Sequence, residues 1–290
     1  MKEQALSNFE VDQPVIKRAV VAAAFSPRLH AVLNESHRIL KLLGTVPVIV
    51  NVSEEVPSQR SRLEEEIDRS HFKHHPPICL VRAGSPADVL IEAAEEFKAD
   101  LIVAGALKKE GLFKYYLGSV ARKLARSAPC SVLLFTDPQV KPQQIKTIHC
   151  ATEYDDDAQP AVEFAMSIAY QAGSPELYFT HSFRMNDWND KKGPVLETDQ
   201  VKKVYQQEDQ RLKELLAGYR SQGLSYHTRC LYERSRAVTL NFTREIGADL
   251  FIVPGPRNRL GLWDRLFPHD LELALQDLPC SLLLTRSPRF

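Results

Sequence analysis

Short apolar runs alternate with longer amphipathic stretches along nearly the whole chain. Residues 19–25 (AVVAAAF) form an apolar run that closes on Ser26-Pro27, a turn signal. Leu29, Val32, Leu33, Ile39, Leu40 and Leu43 then recur at helical spacing until Gly44, which predicts a helix and its stop. Residues 46–52 and 78–81 predict two further strands. Pro86 opens a predicted helix with Val89, Leu90, Ala93, Ala94 and Phe97 on one face; a first turn tolerates proline because its missing N–H has no helical partner there. Residues 101–104 and 132–135 predict a fourth and a fifth strand, and the order recurs with strands near 147–151, 177–181, 226–231, 249–253 and 281–285. Strands that are continuous apolar runs, alternating with helices, predict a parallel sheet covered on both faces. LEEEIDR (63–69) and a long helix near 200–222, with Val201, Val204, Leu212, Leu215, Leu216 and Tyr219 on one stripe, carry charge on solvated faces.

The recurrence is a duplication. Residues 99–135 (ADLIVAG…APCSVLLF) align with 248–285 (ADLFIVPG…LPCSLLLT). Beyond the first glycine the offset is 150 residues without a gap, so Gly105 matches Gly255, Gly111 matches Gly261, and the Pro-Cys-Ser at 129–131 matches that at 279–281. The period is too long for a solenoid and suits two tandem domains. The expected division is 16–136, a linker over 137–145 within the proline-containing TDPQVKPQQI, and 146–288. A polar insertion at 183–200 reads as a surface loop.

Lys+Arg and Asp+Glu both number 37, so the net charge is zero, which disfavours a nucleic-acid binder. The five cysteines have no C-x-x-C spacing and suit a reducing compartment. No early apolar run approaches the length of a membrane span, and the polar start is unlike a signal peptide. The expected location is the cytoplasm.

The A-D-L-I-V-x-G stretch, followed by Gly118-Ser119-Val120 and then A-P-C-S-V-L-L, resembles the C-terminal half of a universal stress protein domain. The resemblance covers about 16–136 and 145–288. It implies two five-stranded parallel sheets with helices on both faces and strand order 3-2-1-4-5, paired through their last strands about a pseudo-two-fold axis. It also implies an adenine-nucleotide site, for ATP or another adenine nucleotide, built in the first half from Phe25, Ser26, Gly105, Lys108, Gly118, Ser119 and Val120. The physical basis is general: ligands of open parallel sheets bind beyond the strand carboxyl ends, and a glycine-rich entry to a helix presents N–H donors to phosphates. On the plainer reading Ser119 only caps the helix and Gly105 only makes a turn. No P-loop is present.

Both halves depart from the family pattern. Lys108 stands at the second loop glycine, and Ala24 at the aspartate of nucleotide-binding members; losing such a charged hydrogen bond costs about 1.5–3 kcal/mol. The second half places Glu153 at the acid position, yet Pro268-His269 replaces Gly-Ser, and Asp270 follows. Proline offers no N–H and aspartate repels an anion, so Glu153, Gly255 and His269 mark a degenerate site, with Glu153 a surface or capping carboxylate.

His71, His74 and His75 form H-x-x-H-H, read as a solvated loop with a metal site as the alternative. His181 reads as a packed or edge histidine, and Cys130 and Cys280 as small buried hydrophobes rather than a redox pair. Lysines and arginines near the two loops read as surface charge, with an anion or partner site as the alternative. The expected function is a non-enzymatic stress-response or regulatory protein with at most weak nucleotide binding in the first half. The alternatives are an ATP-binding member with slow ATPase or phosphotransfer activity, or a regulatory module beside a separate membrane transporter. Partners are then a nucleotide or a protein, without nucleic acid or membrane insertion; the pseudo-dimer is intramolecular, and a homodimer of whole chains is a further option.

Overall fold

A computed structural model describes residues 16–105, 107–108, 115–116, 118–154, 158–183, 198–219, 223–232, 237–255 and 278–287. The first half runs β1 (Arg18–Ala22), α1 (Leu29–Leu42), β2 (Val46–Val52), α2 (Pro57–Asp68), a 3₁₀ turn (His71–His74), β3 (Ile78–Arg82), α3 (Pro86–Glu96) and β4 (Leu101–Gly105). It continues through the two-residue strands β5 (Leu107–Lys108) and β6 (Tyr115–Tyr116) to α4 (Ser119–Ser127) and β7 (Ser131–Phe135). The second half runs β8 (Thr147–Ala151), α5 (Ala158–Ala172), β9 (Glu176–Phe183), α6 (Thr198–Ala217), β10 (His227–Tyr232), α7 (Val238–Glu245), β11 (Leu250–Pro254) and β12 (Ser281–Thr285).

All ten anticipated strands are present, and they form one sheet in the order β10-β9-β8-β11-β12-β7-β4-β1-β2-β3. Each half contributes five parallel strands in the anticipated 3-2-1-4-5 order, and the halves join through the antiparallel pair β12–β7. Leu283 pairs with Leu133, flanked by Leu282 with Leu134 and Leu284 with Val132. Leu133 and Leu283 are equivalent positions of the repeat, so a local two-fold axis passes between them.

Strand period two sorts side chains into two layers. Ala19, Val21, Leu101, Val103, Leu133, Phe135 and Leu283 face the core under α1, α2, α5 and α6. Val20, Ile102, Ala104, Val132, Leu134, Leu282 and Leu284 face the core under α3, α4 and α7. Burial on both sides is why these strands lack polar alternation.

The repeated Ala-Asp-Leu is a structural staple. Asp100 Oδ2 accepts from the backbone N–H of Lys17 and Arg18 at 2.8 and 3.2 Å, and Asp249 Oδ2 from those of Lys146 and Thr147 at 2.7 and 3.0 Å. Each carboxylate satisfies donors just before the neighbouring strand, which sets where pairing begins. Gly44 ends α1 with φ +63°, as anticipated, in a left-handed conformation that costs glycine little.

The charged side chains of 63–69 are mostly exposed and His71, His74 and His75 are exposed, as anticipated, but the segment is helical rather than a loop. Pro57 starts α2, which turns Leu63 and Ile67 into the core, and the histidine run forms the 3₁₀ turn with Phe72 buried beneath it. The segment 136–146 carries neither helix nor strand. It is held by Arg28, which donates to Thr136 O at 2.6 Å, and Asn34, which donates to Val140 O at 2.8 Å. Among the described residues no helix is long and apolar enough to cross a membrane. The insertion anticipated at 183–200 lies mostly outside the described residues.

Candidate functional site

In each half the crevice beyond the strand carboxyl ends opens between the first and fourth strands, where strand order reverses. In the first half this brings together the chain after β1 (Ala23 to Ser26), the end of β4 at Gly105 and the start of α4 at Gly118. Asn51, buried at the end of β2, donates to Ala23 O at 2.6 Å and accepts from Ser53 Oγ at 2.6 Å, fixing the chain where it leaves the sheet. Ala24 is exposed there and supplies no acid.

The anticipated ligand residues take several roles. Phe25 is half-buried, and the Arg62 guanidinium lies 4.1 Å from its ring centroid. That face is therefore already covered by a cation. Ser26 builds the entry to α1: its Oγ accepts from Arg28 N at 3.3 Å and its carbonyl from Leu29 N at 3.0 Å. Gly105 is not a turn residue. It pairs with Phe135 in the sheet, and a Cβ on it would stand 3.1 Å from Val32 Cγ2 of α1. Close packing of helix on sheet is what requires glycine there.

Gly118, not Ser119, holds the N-cap of α4, with φ −63° and ψ 169°. Ser119 is the first helical residue, and no side chain caps the helix. Capping demands an extended backbone at the capping residue, so the hydroxyl one position later cannot serve. The N-terminal donors of Ser119 and Val120 thus begin at a buried glycine with no Cβ in front of them. The backbone of Lys108 lies in β5, which pairs with β6 in a small hairpin; its side chain is outside the described residues. Lys123 is engaged by Asp88 at 2.6 Å.

The second half repeats the aromatic arrangement. Tyr154 stands where the first half has Phe25, and the Arg211 guanidinium lies 4.1 Å from its ring centroid. Arg62 and Arg211 are 149 residues apart, the separation of Ala99 and Ala248, so this pairing was open to the alignment and missed. The other face of Tyr154 carries His181, with ring centroids 3.9 Å apart. His181 Nδ1 donates to Thr152 O at 2.9 Å; burial lowers its pKa and outweighs the opposing pull of the Thr152 carbonyl and Glu208. Glu153, half exposed, lies 3.6 Å from that Nδ1, in keeping with a surface carboxylate. Gly255 is crowded by Arg286, whose Nε and Cγ come within 2.9 and 3.0 Å of an added Cβ. His269 lies outside the described residues.

Other titratable groups are structural. Cys130 and Cys280 are buried, and burial pushes both thiols up to about 12. His149 is fully buried between Thr243 Oγ1 and Thr180 Oγ1, each at 2.8 Å. Thr243 donates its single proton to Thr239 O, so it accepts from His149 Nδ1–H, and Thr180 donates to Nε2. The ring is neutral, and burial lowers its pKa to about 3. Among the described residues no three His, Cys, Asp or Glu side chains are placed to hold a metal ion. A cavity of about 360 Å³ lies between the halves, against the end of β7 and the starts of β11 and β12, and includes neither Ala24 nor Gly118; it is lined in part by Glu35, Arg38, Gln144, Asp249 and Ser281.

A family model for the universal stress protein family matches residues 16–136. A universal stress protein of Methanocaldococcus jannaschii is 46% identical over 56 residues, 19% of this chain and 33% of that protein. One from Thermus aquaticus is 42% identical over 55 residues, 19% of this chain and 40% of that protein. The chain thus spans only about a third of the length of the curated relatives it matches. Among solved structures, a Pseudomonas aeruginosa protein of unknown function superposes with a TM-score of 0.70 at 15% identity, covering 95% of this chain and 94% of its own. A universal stress protein from Archaeoglobus fulgidus gives 0.62 at 15% identity, covering 92% and 98%. These likenesses extend the fold over both halves. Residues 16–136 are thus similar to the universal stress protein family.

Proposed function

We propose that the chain is a non-enzymatic regulatory protein of the universal stress type, with weak adenine-nucleotide binding confined to its first half. One observation carries this reading: α4 opens at the buried Gly118 with no side chain capping it, so a ligand approaching its first N–H groups meets no Cβ. The repeat puts Pro268, which has no N–H to offer, at the matching position of the second half. Phosphates would meet the N–H groups and positive end of α4. Affinity is weak because Ala24 offers no carboxylate for the ribose end and Arg62 already covers Phe25. Hydrolysis is disfavoured for the same reason, since no acid at that position holds a metal or orients water. The output then passes to a protein partner.

Titration calorimetry with ATP and magnesium tests this. One weak site per chain is expected, lost in Gly118→Asp and tightened in Ala24→Asp. Two sites, unchanged binding in Gly118→Asp, or phosphate release by the wild type beyond that of Gly118→Asp would refute it.

A further inference from the structure

The H-x-x-H-H run plays no part in the nucleotide reading, and the structure adds a fourth histidine to it. The ring centroid of His37, on α1, lies 5.8 Å from those of His71 and His75. It meets the buried Phe72 ring edge-on at 5.1 Å. His37 Nε2 is buried without a hydrogen-bond partner, so a proton placed there finds no acceptor. The groups acting on the ring are His71, His74 and His75 from the 3₁₀ turn and Lys41 from α1 itself, none of them a carboxylate. Burial first, and these neighbours after it, lower the pKa of His37 to about 4.

The turn is tied to the segment between the halves by one buried side chain. Asn34, a helical turn before His37, accepts from His71 N at 2.9 Å and donates to Val140 O at 2.8 Å. We propose that His37, packed beneath His71, His74 and His75, is the trigger of an acid-released latch: its protonation drives the 3₁₀ turn off α1, and Asn34 passes the release to segment 136–146.

The direction follows from linkage. With the turn lifted, His37 titrates near its ordinary 6.5, while in the closed latch it resists the proton until about pH 4. The open form therefore binds protons that the closed form refuses, and it gains as pH falls below 6.5. The full separation corresponds to roughly 300-fold for His37 alone; the ring is only half-buried, and solvent screening brings the expected effect to roughly tenfold.

Hydrogen exchange on the full chain, corrected for the pH dependence of the chemical rate, reads this out. Between about pH 7.5 and about pH 5, segments 70–76 and 136–146 should lose roughly tenfold more protection than α3. His37→Phe retains an edge-on ring against Phe72 and takes no proton, so the differential should vanish. Should His37→Phe fail to fold, His71→Gln combined with His75→Gln removes two neighbours that oppose protonation of His37 and should shrink the response. An undiminished response in these variants overturns the latch, as does the absence of any differential in the wild type. Zinc-dependent protection of 70–76 that His37→Phe abolishes also overturns it, by making the cluster a metal site.

Discussion

Arg286 stands directly against Gly255, its Nε 2.9 Å from the point that a Cβ on the glycine would occupy. The guanidinium runs on to donate to Ala128 O at 3.3 Å and to Ala125 O, at the end of α4. Its backbone closes on Ser131 Oγ, which accepts from Arg286 N at 3.0 Å and donates to Arg286 O at 3.2 Å. The second half therefore holds the carboxyl end of the helix whose amino end is the first half's candidate anion site.

Arg286→Ala strips two charge-assisted bonds from buried carbonyls and should cost about 2–4 kcal/mol in urea unfolding. Gly255→Ala should cost about 1–3 kcal/mol by overpacking. Combined, they should cost less than the sum, because removing the arginine opens the space that the added methyl needs. Strict additivity would place the clash elsewhere.

Acid should act on the second half through His149. Its folded-state pKa of about 3 lies below the ordinary 6.5, so the unfolded chain takes up the proton first as pH falls. The stability it contributes is whole above pH 6.5 and is lost progressively towards pH 3, amounting to about 2 kcal/mol by pH 5. Urea titrations at both pH values should show this slope in the wild type and a flatter one in His149→Gln. Equal slopes would clear His149.

Lys98 is the one non-glycine among the described residues with positive φ, at 49°; its repeat counterpart is Gly247, at φ 60°. Lys98→Gly relieves the left-handed strain and should raise stability by about 1 kcal/mol, read as a higher melting temperature. A drop would mean that the entropy glycine adds to the unfolded chain dominates.

Thiol reagents should label Cys130 and Cys280 slowly in the native protein, because burial leaves almost no thiolate at neutral pH. Labelling of either at the rate of a free thiol would contradict the packing around β7 and β12.

The strands were legible because burial on both faces leaves uninterrupted apolar runs, as in residues 132–135. Helix α2 was not, since Leu63 and Ile67 are its only buried side chains within a charged stretch. Placing the cap at Ser119 rather than Gly118 was an error of one residue, the scale at which helix ends resist pattern reading. Asn51, Arg62 and Arg286 escaped for a different reason. Asparagine and arginine look solvated in a sequence, and what fixes each here is a partner brought up by the fold, 155 to 161 residues away for Arg286.

The pairing of Leu133 with Leu283 means that the chain carries its own dimer partner. In a homodimer built on the same axis, every mutation appears twice, and a change that improves one copy's contact alters the other copy equally. Here the position of Arg286 is held in the first half by Thr136, and that of Phe25 in the second by Tyr154. Each half accepts substitutions that its twin never receives. Gene fusion thus let one half acquire Arg286 and lend it to the other half's α4, a division of labour that two identical subunits cannot inherit.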